Sequence, residues 1–256
     1  LELLQQKEMI KIKNFLTYAL FLIVIFGVGL IGCSSNNQTT TDSVGSYSNQ
    51  NQNREELIIT NESDTITIPI EQIPTIRTYL EEYTTSASER KTEIDRMRVN
   101  PLPNPNATYA VISYSCGIKL CDNVLVNYKN DQVTSIPLPQ SSFFQEALFT
   151  VDNKYLAIKL GKNEGSTVSK SSVVIIDTVE TKNAEFQNNS EIINQITNGN
   201  FTVPIRSLQW QNDTTLKVTI PDIKDYSFQN IEKWINGESE TKTKEVKITL
   251  ASIPNE

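Results

Sequence analysis

From Thr108 to Ile253 nine short apolar segments follow one another: "TYAVISYS", "NVLVNY", "QVTSIPL", "EALFTV", "KYLAIKL", "SVVIIDT", "IRSLQW", "TLKVTIP" and "EVKITLASI". Most are separated by clusters of Asn, Asp, Gly or Ser. Segments of this length, rich in Val, Ile, Thr and aromatic residues and bounded by turn formers, are expected to be β-strands. Most of the breaks are too short for a helical crossover, which favours antiparallel pairing of neighbouring strands. The fold class expected is mainly β, built of antiparallel meander sheets.

Helical spacing is scarce. Before the strand run, "ELIITNESDTITIPI" alternates apolar and polar residues around "NESD", which predicts a hairpin. Ile73, Ile76, Leu80 and Tyr83 then recur at helical spacing with Pro74 suited to a first turn, and "SERKTEIDRM" predicts a second helix. The three prolines of "NPLPNPN" mark a boundary, which divides a small hairpin-plus-helix segment (55–100) from a β-rich domain (101–256). Within that domain "YSFQNIEKWING" is a helical insertion, with Phe228, Ile231, Trp234 and Ile235 on one face.

"LFTVDNKYLAIKL" (148–160) followed by "VVIIDTVETKN" (173–183) resembles one blade of a β-propeller: an aromatic, a tight turn containing Asp, a strand, then a strand ending in Asp. Asp152 can accept from nearby backbone amides, and Asn153 tolerates the left-handed conformation. Similar stretches lie on either side, and the corresponding turns begin near Asn104, Val151 and Gln211, about 47 and about 60 residues apart, where propeller repeats run about 40 to 50 residues. The resemblance implies a propeller-like stack of antiparallel meander sheets, and a sandwich-like arrangement is the alternative. Three copies are fewer than the four blades a closed propeller needs.

The opposite end of the chain has a different character. "MIKIKN" from Met9 is basic, and the stretch from Phe15 to Gly32 is apolar apart from Thr17 and Tyr18. That order is expected of a signal peptide (1–32) with Met9 as the start and residues 1–8 as an upstream extension. A run of this length also suffices for an uncleaved membrane helix. Leu30-Ile31-Gly32-Cys33 resembles the lipobox of bacterial lipoproteins, although Ile31 is bulkier than the Ala or Ser usual there. The resemblance implies cleavage before Cys33, a diacylglycerol on its sulfur, and a place on the extracytoplasmic face of the cell membrane. Residues 33–54 are then the lipidated cysteine and a polar, low-complexity tether, averaging roughly 25 Å and reaching about 70 Å when taut.

Removing residues 1–32 takes away Lys7, Lys11 and Lys13 against Glu2 and Glu8, so a net charge of −7 becomes −8. An acidic domain without basic patches is a poor nucleic-acid binder, and an anionic lipid surface repels it. Of the three cysteines, Cys116 and Cys121 remain after lipidation, and export favours a disulfide between them. The alternative, a zinc site, would have to be completed by carboxylates.

The chain has no histidine. The commonest general base, the usual activator of Ser or Cys nucleophiles and the commonest metal ligand are therefore absent. "GKNEGST" (161–167) lacks phosphate-loop spacing and is expected to be a hairpin loop. Glu89, Glu93 and Asp95 alternate with Arg90, Lys91 and Arg96, which predicts a solvated, ion-paired helix face. Asp177 matches the turn-forming Asp at the end of a blade strand.

No catalytic residue, metal ligand or cofactor site is assigned. The expectation is a membrane-anchored binding or accessory lipoprotein with an envelope protein as partner, met through Tyr226, Phe228 and Trp234 of the helical insertion. Packing of those aromatics on the sheet is the competing expectation, and Trp210 is expected in the core. A carboxylate-dependent envelope hydrolase and a transporter's solute receptor are the alternatives. The receptor would require two lobes of alternating helices and strands.

Overall fold

The structure, a computed structural model, describes residues 55–60, 65–238 and 240–251. The signal-peptide, lipobox and tether expectations, Cys33 among them, lie outside the described residues. The described residues form one compact unit.

The fold is mainly β. Strands β1 (Glu56–Thr60) and β2 (Thr65–Pro69) pair antiparallel as expected. A 3-10 turn (Ile70–Gln72) leads into α1 (Pro74–Tyr83), where Pro74 occupies the first turn and its missing N–H costs nothing. Ser86 caps α2 (Ala87–Arg96), accepting from the Glu89 amide at 3.2 Å, while the Glu89 carboxylate accepts from the Thr85 amide and hydroxyl, each at 2.8 Å. The charged face of α2 is ion-paired: Lys91 to Asp95 at 3.0 Å and Arg96 to Glu93 at 2.8 Å.

Three meander sheets follow. The first orders β3 (Arg98–Leu102), β4 (Thr108–Tyr114), β5 (Asp122–Lys129) and β6 (Gln132–Pro137). The second orders β7 (Phe143–Phe149), β8 (Tyr155–Glu164), β9 (Val168–Asp177) and β10 (Lys182–Asn183). The third contains β11 (Ser207–Asn212), β12 (Thr215–Pro221) and β13 (Thr243–Thr249). Each strand pairs with its chain neighbour, always antiparallel.

Pro101 does not break the chain. It lies in β3, an edge strand, where a residue without an N–H can face outward. The proline-rich stretch therefore begins inside the first meander, and β3 binds the hairpin-plus-helix segment to the sheets.

The meanders stack face to face in chain order, a sandwich-like arrangement. One face of the first sheet (Ala110, Ile112, Val124, Val126) packs on Leu57, Ile59, Ile68, Ile76 and Leu80 of the hairpin and α1. Its other face (Tyr109, Val111, Leu125) meets Leu156, Ile158 and Ile176 of the second sheet. The second sheet's far face (Ala157, Val173, Ile175) meets Leu208, Leu216, Val218, Ile220 and Ile248 of the third. Each fully buried Leu, Ile or Val contributes about 1.5–3 kcal/mol.

α3 (Glu191–Thr197) inserts Ile193 and Ile196 between the second and third sheets. The outer face of the third sheet is polar, with Lys217 paired to Glu245 at 3.1 Å. An apolar face is needed to receive a further sheet, so among the described residues the stack is open. The hairpin and α1 cover one end, and this polar surface finishes the other.

Candidate cleft at the turns of the first two sheets

In a meander, alternate turns fall at the same end of the sheet. The β3–β4, β5–β6, β7–β8 and β9–β10 turns therefore gather at one end of the first and second sheets. Local chemistry shapes each of them. Asn104 Oδ1 accepts from the amides of Asn106 (2.8 Å) and Ala107 (3.2 Å). Asn130 and Asp131 both adopt left-handed conformations (φ 52° and 61°), as a two-residue hairpin turn of matching twist requires. Asp152 accepts from the Thr150 hydroxyl (2.8 Å) and the Lys154 amide (3.1 Å), and Asn153 has φ 58°. Asp177 accepts from the amides of Val179 (2.9 Å) and Glu180 (3.0 Å). The sequence assignments of Asp152, Asn153 and Asp177 agree with this geometry.

Between these turns opens a cleft of about 430 Å³. Its lining is rich in amides and hydroxyls, including Asn106, Asn127, Gln132, Thr134 and Thr181. Tyr109 lies at the base, its ring edge-on to Phe149 at 5.4 Å, and burial pushes its phenol pKa up. Asp152 is the one carboxylate in the lining. Burial opposes its ionisation, but the bonds from Thr150 and Lys154 outweigh that and hold its pKa below the usual carboxylate value. Lys154 Nζ lies 3.4 Å from it.

Asn127 has no turn to serve. It sits within β5, opposite Tyr109 on one side and Thr134 on the other. Strand alternation puts it on the face that carries fully buried Leu125, and it is itself only 7% exposed. Its Oδ1 is buried and accepts no hydrogen bond from the protein.

The side chains singled out in the sequence lie elsewhere. Cys116 and Cys121 form a disulfide in the β4–β5 turn, at the opposite end of the first sheet, with the Cys116 carbonyl accepting from Arg96 at 2.8 Å. Tyr226, Phe228 and Trp234 belong to the insertion that carries α4 (Phe228–Ile235) and are half-buried by their own chain. Tyr226 packs on the cluster between the second and third sheets. Phe228 lies over Gly165 of the β8–β9 turn, and Trp234 donates to the Lys242 carbonyl at 3.1 Å with Arg206 across its ring. Ile235, beside them, is 44% exposed. Trp210 is half-buried against the same cluster as Tyr226.

Sequence reasoning missed the cleft. "NVLVNY" held one sign of it, because alternation places Asn123, Leu125 and Asn127 on one face of a strand whose other face is apolar. Asn123 proves to be satisfied within the chain, accepting from Ser113 (2.6 Å) and donating to Ser142 Oγ (3.0 Å).

Among the described residues no cluster of three His, Cys, Asp or Glu side chains could hold a metal ion, and no helix is long and apolar enough to cross a membrane. The chain matches no protein-family model, no curated protein and no solved structure.

Proposed function

We propose that the chain is a lipid-anchored binding protein on the extracytoplasmic face of the cell membrane, with no catalysis of its own. The observation that carries this reading is Cys33, at the end of a basic-then-apolar leader in the lipobox-like sequence Leu30-Ile31-Gly32-Cys33. A single acyl chain binds membranes only marginally, whereas two give stable attachment, at about 0.8 kcal/mol per buried methylene. The tether then keeps the stacked sheets within about 70 Å of the bilayer.

Binding is favoured over hydrolysis by the chemistry of the cleft. Glycoside hydrolysis needs two carboxyl groups, one of them protonated at the start of the reaction. Asp152 stands alone in the lining and is held ionised. Antiparallel meanders throughout also disfavour the alternating two-lobed design of a solute receptor. An envelope protein is the proposed macromolecular partner, and the surface of α4 around Tyr226, Phe228, Trp234 and Ile235 is the proposed contact.

The test is detergent-phase partition of the protein made in a bacterial host. The wild-type chain should take up a labelled fatty acid and enter the detergent phase, while Cys33→Ala should do neither. Acylation of Cys33→Ala, or an unlabelled cytosolic wild type, would refute the anchor.

A further inference from the structure

Turn chemistry accounts for Asn104, Asn130 and Asn153 at the rim of the cleft, but it does not account for Asn127. A Leu at that register position would continue the apolar row of Leu125 and leave no polar atom to satisfy. The Asn instead presents a buried carbonyl oxygen without a donor, an arrangement that disfavours folding unless something else supplies one.

We propose that the cleft between the first two meander sheets binds a neutral sugar ring, with Asn127 Oδ1 accepting a hydrogen bond from a ligand hydroxyl or amide. The acceptor at the base calls for an O–H or N–H. Around it Asn106, Gln132, Thr134 and Thr181 can each donate and accept, as ring hydroxyls do. The lining carries little charge, because Asp152 offsets Lys154 and one cation, Lys129, is left over, which suits a neutral ligand better than a multiply charged one. Val179 lines the mouth and is 64% exposed, an apolar surface suited to the C–H face of a sugar. A volume of about 430 Å³ falls within the range of small-molecule sites, about 300–1,000 Å³.

This assignment rests on the binding-protein reading and is independent of Cys33. It is tested by titrating the ¹⁵N-labelled full chain, held in detergent micelles, with glucose and with N-acetylglucosamine. Saturable shifts are expected in the Asn127 side-chain amide and in the backbone of residues 104–107, 130–134 and 152–154. A neutral ligand should bind equally at about 50 and about 500 mM NaCl. Asn127→Leu should weaken binding at least about tenfold while melting no lower than wild type. Gln132→Ala, on the exposed edge of the cleft, should weaken binding several-fold with an unchanged melting temperature, and it carries the test if Asn127→Leu does not fold. No saturable shift with either sugar up to its solubility would overturn the sugar assignment, as would undiminished binding by these variants. Fatty-acid labelling and the contact through α4 would be untouched by that failure.

Discussion

Trp210 of β11 donates its indole N–H to the Leu148 carbonyl of β7 at 2.9 Å, joining the first strands of two successive sheets across 62 positions of sequence. Trp210→Phe keeps most of the ring packing but leaves that carbonyl without this donor. It should cost about 1–2 kcal/mol, read as a lower urea midpoint with an unchanged slope. A loss below the error of the fit would mean that the two sheets are held by apolar contact alone.

Asn123 joins Ser113 to Ser142 in a buried network, which Ser142 extends by donating to the Pro139 carbonyl at 2.7 Å. Asn123→Leu leaves the Ser113 hydroxyl without its acceptor and takes a donor from Ser142 Oγ, which keeps only its bond to the Pro139 carbonyl. The expected loss is about 1–3 kcal/mol by chemical denaturation, larger than for Ser113→Ala, which removes one bond only.

Burial pushes the Tyr114 phenol up to about 12, helped by the negative charge of Asp122. A phenol that keeps its proton more tightly when folded stabilises the fold at pH below its unfolded value, about 10. That contribution fades as pH rises from about 10 to about 12. The melting temperature should therefore fall over this interval, and less so in Tyr114→Phe, which keeps the edge contact with Tyr79. Equal alkaline losses in both proteins would contradict the assignment.

The Cys116–Cys121 disulfide closes a short loop whose tip, Ile118, is fully exposed. In the chain-entropy model a loop of this size is worth about 2 kcal/mol. Replacing both cysteines by serine should lower stability by no more than that and leave the stack intact by circular dichroism. A larger loss would mean that the loop orders β4 and β5 as well as closing between them.

What the sequence discloses here follows the range of the forces involved. The Asp152–Asn153 turn and the helix of "SERKTEIDRM" were legible because their causes lie within four residues, although the Ser86 cap two positions upstream was not read. The stacking of meanders was legible through repetition of the same strand and turn chemistry. β3 was hidden by Pro101, which local rules read as a break and which only an edge position allows. α3 was passed over because seven residues carry just two buried side chains, Ile193 and Ile196. Its one local sign is Ser190, whose hydroxyl caps the Ile193 amide. The cleft draws on residues from 104 to 181 brought together by register and sheet packing, relationships that no local window contains.

The most direct test of the account is the intact mass and N-terminal peptide of the native protein taken from bacterial membranes. The expected result is a chain that begins at Cys33 and carries a thioether-linked diacylglycerol on it. A chain with an unmodified Cys33, whether cleaved elsewhere or retaining its apolar leader, would contradict it.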